Sequence, residues 1–237
     1  MARLLRFALW QFALSFLLVA CGGEPVPSTR LNGSVGTWNY GGTEPGLAFA
    51  IAGFLDELHY GSARVSVVTP NGSVIQAAME KERWAPGPVL GWWFFSTPPL
   101  PGTYRLEASL PGNLYLSKEM PLNPENLLPL VANPSLIFDQ SQMVVRWQPS
   151  SGARSYYVEL WEVDTEGNLT SQYPLLYTTG LELHFVTVDL GLQPGKRYQA
   201  RVFAYSADLT DRLHLPDALS SPFNISSTWT EARVLAP

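Results

Sequence analysis

Enzyme chemistry needs nucleophilic, acidic and basic side chains that converge, and few residues of this chain are candidates for such roles. The 237 residues include one cysteine, Cys21, and three histidines: His59, His184 and His214. The histidines lie far apart in sequence and form no His-x-x-x-His pair of the kind that holds a catalytic metal. Residues 32–36 read NGSVG, so the nearest approach to a Gly-x-Ser-x-Gly nucleophile motif lacks its first glycine. The sequence therefore predicts no catalytic residue, no metal site and no cofactor.

Two acidic segments could be mistaken for parts of metal sites. Residues 56–59 read DELH and could supply half of a site, but a solvated turn beside a strand explains them. Residues 164–168 read DTEGN, a fragment of a calcium loop without the downstream bidentate glutamate, so we expect a hairpin turn. Carboxylate pairs for glycoside hydrolysis cannot be recognised by spacing alone, so an unrecognised envelope hydrolase stays an alternative.

Composition narrows the class of protein. The formal net charge of −5 lacks the basic footprint that binding to nucleic acid requires. A single cysteine cannot close an internal disulfide, so stability must come from packing. Twenty prolines and nineteen glycines interrupt short runs rich in aromatic and β-branched residues. This pattern predicts an all-β chain with many turns.

The first twenty residues have the pattern of an export signal. Arg3 and Arg6 precede an apolar run, residues 7–20, that contains no charged residue. The run is shorter than the roughly 20 apolar residues of a helix that spans a bilayer. We therefore predict a signal peptide over residues 1–20. An ordinary secretory signal and a single signal-anchor helix are the alternatives.

The end of this run, Leu18-Val19-Ala20-Cys21, resembles the lipobox of bacterial lipoproteins. The resemblance implies cleavage before Cys21, a diacylglyceryl thioether on its sulfur and acylation of the new amino terminus. Residues 21–30 would then be the lipidated cysteine and a flexible tether. Two or more acyl chains anchor a protein stably where one does so only marginally. We expect an exported protein held at a bacterial cell membrane or outer membrane through acyl chains on Cys21, with the leaflet left open.

From Leu31 onward, β-type runs alternate with turn signals. The runs 63–69 and 73–79 flank Asn71-Gly72, which predicts a tight hairpin. Residues 46–61 fit a buried strand or a short helix, and we favour a strand followed by a turn. The β pattern stops at residues 120–134, where four prolines predict a semi-rigid linker. We therefore predict a boundary near residue 130 between two domains, 31–129 and 130–237.

The second half carries motifs at spacings that define a known sandwich. These residues are Trp147, then Tyr156, Val158 and Leu160, then Leu192, Pro194, Gly195, Tyr198, Val202 and Ala204. They resemble the fibronectin type III domain. The resemblance implies a two-sheet sandwich in which the hydroxyl of Tyr198 bonds back to the backbone. Residues 206–229 are longer than the usual last turn of that fold, which makes this loop a candidate contact site.

The first half repeats one of these motifs. Residues 100–104 read LPGTY and parallel LQPGKRY at residues 192–198. The offset between the two motifs is close to the length of one sandwich domain. We therefore predict that residues 31–129 form an immunoglobulin-like β-sandwich, so that the fold is two tandem sandwiches after the signal and tether.

Aromatic residues are the candidate binding groups. Consecutive strand residues point to opposite faces, so Trp92-Trp93-Phe94-Phe95 must send two aromatic rings to each face. One pair belongs in the core, and the other could join Trp84, with Trp38 or Tyr40 nearby, in an exposed platform for sugars or a protein. The favoured alternative is that a neighbouring domain or loop covers that face. Four further aromatics are expected on the outer face of the second sandwich: Tyr157, Trp161, Phe203 and Tyr205.

These observations predict a lipid-anchored cell-envelope protein that acts as a non-catalytic protein-interaction or scaffold module. The first alternative is a lipoprotein that binds glycan or peptidoglycan through Trp84, Trp92 and Trp93. The expected partners are the membrane, and either an envelope protein or a cell-wall glycan.

Overall fold

The computed structural model describes residues 31–42, 44–53, 64–78, 89–110, 114–139, 141–211 and 215–236. Within these ranges the chain forms fifteen strands and one helical turn, which confirms the all-β class. No helix in these ranges is long and apolar enough to cross a membrane. The predicted signal peptide, Cys21, the tether and Trp84 lie outside the described residues.

The strands fall into two sets of similar order. The first half contains β1 (Leu31–Asn39), β2 (Gly46–Gly53), β3 (Arg64–Val68), β4 (Val74–Ala78), β5 (Val89–Phe95), β6 (Gly102–Leu110) and β7 (Leu114–Leu122). The second half contains β8 (Ala132–Asp139), β9 (Gln142–Gln148), β10 (Ser155–Val163), β11 (Leu169–Thr178), β12 (Glu182–Val186), β13 (Arg197–Tyr205), α1 (Leu215–Ala218), β14 (Ile225–Trp229) and β15 (Arg233–Val234).

The two halves repeat one strand order. In the first half β5-β2-β1 faces β4-β3-β6-β7, and in the second half β12-β9-β8 faces β11-β10-β13-β14. Each of the seven described strands of the first half thus has a counterpart at the same place in the second half, where β15 is an additional strand that pairs with β13. The predicted fold, two tandem immunoglobulin-like sandwiches, is confirmed.

Each sandwich encloses its own hydrophobic core between its two sheets. The first core includes Val35, Phe49, Val67, Tyr104 and Leu106. The second contains the alternating residues that the sequence predicted to face inward: Met143, Val145 and Trp147 on β9, Tyr156, Val158 and Leu160 on β10, and Tyr198, Ala200, Val202 and Ala204 on β13. Period-two alternation therefore predicts the inward faces correctly.

A tyrosine closes the same corner in both sandwiches. The backbone N–H of Gln193 donates a hydrogen bond to the hydroxyl oxygen of Tyr198 at 2.8 Å, which confirms the predicted bond. In the first half the backbone N–H of Leu100 donates to the hydroxyl oxygen of Tyr104 at 2.6 Å. Both rings are buried, so each hydroxyl satisfies a backbone donor at the rim of its core.

Local predictions about turns hold where the structure describes them. The N–H of Gly72 donates to the carbonyl of Thr69, and β3 and β4 pair on either side, so the Asn71-Gly72 hairpin is confirmed. Residues 46–53 form strand β2, as favoured, whereas residues 54–63 lie outside the described ranges.

The predicted end of the β pattern at residue 120 is wrong. Strand β7 continues to Leu122, and Pro121 pairs with Thr103 across the ladder. Proline is tolerated there because β7 is the last strand of its sheet, where one side of the backbone needs no ladder donor. The connection from 123 to 131 then packs into the second core through Leu128 and Val131.

One sheet runs through both sandwiches. Strand β1 pairs with β2 over eight residues on one side and with β14 on the other, where Trp38 and Asn39 lie parallel to Ile225 and Ser226. This pairing joins β11-β10-β13-β14 to β1-β2-β5. A third hydrophobic cluster lies over the junction and takes residues from both halves: Ala48, Ala50 and Ala52 from the first, and Tyr157, Phe203, Tyr205, Ala207, Leu209, Leu219, Phe223 and Ile225 from the second.

The corner hydrogen bond yields a test of the fold. We expect Tyr198→Phe to lower the free energy of unfolding by about 1–2 kcal/mol, because the buried N–H of the corner loses its acceptor while the ring is kept. Chemical denaturation monitored by tryptophan fluorescence measures the loss. The matched control is Tyr115→Phe, since Tyr115 is 65% exposed. Equal stability of the two variants would contradict a stabilising corner.

Candidate binding surface

Two of the three sequence-predicted aromatic candidates, Trp92 and Trp93, lie on β5 at one end of the long sheet. In β5, Trp92 is paired with Ala50 and Trp93 with Phe49. Phe49 belongs to the first core and Ala50 to the junction cluster, so the two register positions belong to opposite faces of the sheet. The structure does not describe the side chains of Trp92 and Trp93, so the exposed aromatic platform stays a prediction.

The acidic turn at residues 164–168 is a hairpin turn, as expected. The carboxylate of Asp164 accepts hydrogen bonds from the backbone N–H groups of Glu166 and Asn168 and from the Asn168 side chain. The Asn168 bonds are the main cause that lowers the pKa of Asp164. Among the described residues, no group of three or more His, Cys, Asp or Glu side chains could hold a metal ion. Residues 56–59 and His214 lie outside those ranges.

The aromatic residues expected on the outer face of the second sandwich are mostly covered. Tyr157, Phe203 and Tyr205 are 3%, 2% and 0% exposed. The alanines of β2 and the residues that follow β13 pack against them. The outer face of the second sandwich is therefore an internal surface where the first sandwich meets it, and only Trp161 of the four is partly exposed.

An arginine surrounded by aromatic rings lies beside this covered region. The guanidinium carbon of Arg201 is 4.7 Å from the ring centre of Phe203, 5.0 Å from that of Trp229 and 5.5 Å from that of Trp38. We call these four residues the arginine cage. Each contact is within the range of a cation–π attraction. Because Trp38 comes from the first half and the others from the second, the cage spans the junction.

Strand register places the members of the cage together. Arg201 on β13 lies directly opposite Glu159 on β10 and Trp229 on β14, so the three share one face. Trp38 reaches the same face because β1 pairs with β14 at the Trp38–Ile225 position. The cage therefore depends on the pairing between the two sandwiches.

Hydrogen bonds fix the polar atoms of the cage. The Nη2 atom of Arg201 donates to the hydroxyl oxygen of Ser227 at 3.0 Å, and the indole Nε1 of Trp38 donates to the same oxygen at 3.2 Å. One serine hydroxyl thus orients a cation from the second half and an indole from the first half.

A carboxylate beside the cage balances its charge. Glu159 accepts a hydrogen bond from the indole Nε1 of Trp161 at 3.0 Å. Burial raises the pKa of Glu159, while the Trp161 bond and the charge of Arg201 lower it. Burial likewise lowers the pKa of Arg201, and Glu159 raises it. The two charges therefore stabilise each other in a place where either alone would be costly.

The cage joins the two halves, and an exposed tyrosine lies next to it. Arg201 lies against the rings of Trp38, Phe203 and Trp229. Tyr40, with its ring centre 4.6 Å from that of Trp38, is 37% exposed. Sequence reasoning placed Trp38 and Tyr40 near a platform but missed Arg201, Trp229 and Glu159. The available signal was an arginine on an outward position of β13, two residues before Phe203.

The charge pair predicts a pH-dependent stability. In Arg201→Met the pKa of Glu159 should rise further, because its nearby cation is gone. A raised carboxyl pKa contributes stability below the ordinary glutamate range that is lost as pH rises through the folded-state value. We expect a loss of about 2–3 kcal/mol near pH 8 and a smaller loss near pH 5.

Denaturation of Arg201→Met and of Arg201→Met with Glu159→Gln at both pH values measures this effect. The second substitution removes the titrating group and should flatten the pH dependence. A deficit that is the same at both pH values in Arg201→Met would contradict the pairing of Arg201 with Glu159.

No curated protein matches the sequence at a significant level. Among solved structures, the chain is similar to a segment of two fibronectin type III domains from chicken tenascin, at 12% identity and a TM-score of 0.30 over 86% of this chain and 99% of that one. A cytokine receptor complex aligns at 14% identity and a TM-score of 0.29 over 86% and 96% of the two chains. Chicken interferon gamma receptor alpha chain aligns at 12% identity and a TM-score of 0.29 over 90% and 100%.

The family comparison concerns the second sandwich alone. Residues 135–213 match the fibronectin type III domain. The matched range begins within β8 and covers β9 to β13, the strands that carry the Tyr198 corner and the second core. Residues 135–213 are therefore similar to the fibronectin type III domain.

Proposed function

We propose that this chain is a lipid-anchored protein of the bacterial cell envelope that acts as a non-catalytic protein-interaction or scaffold module. The fibronectin type III match over residues 135–213 is the observation that carries the proposal, because such domains commonly serve as binding or scaffold modules. Fold alone does not assign a partner, so the surface and the anchor must supply the rest.

The anchor rests on the first 21 residues. Two arginines, an apolar run and Leu18-Val19-Ala20-Cys21 follow one another in the order of a lipoprotein signal. After cleavage, Cys21 would carry the acyl chains, and residues 22–30 would extend at most about 30 Å. The first described strand begins at Leu31, directly after this tether. The sandwiches would therefore stand close to the membrane surface while remaining free of it.

The described surface offers apolar side chains to a protein partner. Val188 is 75% exposed, Val234 is 55% exposed and Leu176 is 48% exposed, all in the second half. Because these residues lie outside the second core, substituting them should leave the sandwich folded. They are suitable positions for photocrosslinkers that report a partner in cells.

Glycan binding is the second candidate function. The neighbouring rings of Trp38 and Tyr40, tilted by 40° to each other, favour it, because Tyr40 is partly exposed and follows the strand that joins the two sandwiches. Trp92 and Trp93, on β5 of the same sheet, are the sequence-predicted contributors. Aromatic rings bind the apolar faces of sugars by stacking, which an acidic chain can do without a basic patch.

The anchor prediction is tested with Cys21→Ser in the full chain. We expect the parent chain to fractionate with membranes and to gain mass from acyl chains, because the thiol at the end of the signal is the acceptor. The variant should lose the acyl mass and leave the membrane fraction once the signal is removed. Membrane retention and intact mass that do not change in Cys21→Ser would refute the anchor.

Co-sedimentation with purified cell-wall glycan separates the two candidate functions. We expect no binding if the chain is a protein-interaction module. Binding that is lost in Trp92→Ala/Trp93→Ala or in Tyr40→Ala, but kept in Tyr115→Ala, would support the glycan-binding alternative instead. Release of soluble sugar fragments would support the hydrolase alternative. If the protein does not sediment with the glycan, crosslinking from Val188 and Val234 in cells should capture an envelope protein.

A further inference from the structure

A short segment before β14 lies across the first sandwich. This segment, residues 215–224, begins with the helical turn α1 and is called the strap here. The helical turn packs against β1 and β2. Leu219 and Phe223 are fully buried in the junction cluster with the alanines of β2. The segment therefore belongs to the second half by sequence and to the first half by packing.

Small residues on the first sandwich make this approach possible. The junction face of β2 carries Ala48, Ala50 and Ala52, all 0% exposed. On β1, a Cβ atom added to Gly36 would lie 2.2 Å from the carbonyl oxygen of Phe223. Backbone thus lies against backbone at Gly36, and a larger side chain there would displace the strap.

Hydrogen bonds join the strap to strand β1 at Ser34 and at Thr37. The hydroxyl of Ser34 donates to the carbonyl of Ser221 at 2.6 Å. The backbone N–H and the hydroxyl of Thr37 both donate to Oδ1 of Asn224, at 3.0 and 3.1 Å. These bonds connect side chains and backbone from opposite halves of the chain.

Lys118 adds a bond from a third strand of the first sandwich. Its Nζ donates to Oδ1 of Asn32 at 2.9 Å, to the carbonyl of Gly33 at 2.9 Å and to the carbonyl of Leu219 at 2.8 Å. One ammonium group therefore holds β1 and the strap together from β7.

The strap also forms hydrogen bonds to the second sandwich. The hydroxyl of Ser206, which follows β13, donates to the carbonyl of Pro222 and accepts from the N–H of Asn224. The backbone N–H of Ser206 also donates to the carbonyl of Asn224. A rotation of one sandwich against the other would have to break one of these two sets of bonds.

We propose that the strap locks the two sandwiches into one rigid, cooperatively unfolding body. The long loop predicted from sequence as a candidate contact site has an internal partner, the β1–β2 surface of the first sandwich. The match to the fibronectin type III domain ends at residue 213, just before the strap begins. The strap thus lies beyond the matched range and adds to the contact that Arg201 makes with Trp38 of the first half.

The test compares distances between the sandwiches in the full chain carrying Cys21→Ser, so that two introduced cysteines are the only ones. Gln76→Cys on β4 and Thr165→Cys in the β10–β11 turn are exposed positions, one in each sandwich. Spin labels at both sites should give one narrow distance distribution by electron–electron double resonance. Calorimetry of the same chain should show one unfolding transition.

Gly36→Val is the variant that should release the strap. Valine suits a strand, so β1 should still form while Phe223 is displaced. We expect the distance distribution to broaden and the single unfolding transition to split into two. A broad distribution in the parent, or a narrow one in Gly36→Val, would overturn the proposal.

A second pair of variants covers the case in which Gly36→Val does not fold. Asn224→Ala removes the acceptor for Thr37, whereas Asn224→Asp keeps an oxygen at that position. We expect Asn224→Ala to broaden the distance distribution and Asn224→Asp to retain the narrow one. The same distribution in both variants would show that the bonds between the strap and β1 do not fix the orientation.

Discussion

Strand β1 serves two sandwiches at once, and most of the architecture follows from that double role. One side of its backbone is paired with β2 over eight residues, and the other side meets β14 in parallel. One face supplies Val35 to the first core, and the opposite face accepts the strap at Gly36. A strand in this position cannot shift its register, because a slip of one residue would exchange the two faces.

Side-chain size at the junction follows from the same constraint. The strap can approach β2 because the junction face of that strand carries alanines, whereas its core face carries larger residues. Beside the strap, the side chains at the junction are larger than these alanines. There Arg201 lies between Trp38, Phe203 and Trp229. The junction therefore combines close backbone packing at one end with a charged, aromatic cluster at the other. Neither arrangement would be stable if the two halves moved independently.

The features that could be predicted from sequence are those set by neighbouring residues. Alternation identified the core faces of β9, β10 and β13, and the Leu-x-Pro-Gly-x-x-Tyr pattern identified the Tyr198 corner, because each depends on a few adjacent positions. Pairing of β1 with β14 depends on residues from opposite ends of the described chain and leaves no local pattern. For this reason the outer aromatics Tyr157, Phe203 and Tyr205 were expected at a surface that the first sandwich and the strap in fact bury. Trp92 and Trp93 were chosen by residue type, and only their register positions are described.

The joining of β1 to β14 also bears on how such a chain avoids aggregation. Each sandwich by itself would end in an unpaired strand whose open N–H and C=O groups can recruit a strand from another molecule. Here the exposed side of β1 and that of β14 satisfy each other over Trp38 and Asn39. Because β14 follows β1 by nearly the whole described length, the first sandwich keeps its open strand until the second has been made and folded. The protein most needs protection by chaperones in the time between the folding of the first sandwich and the folding of the second.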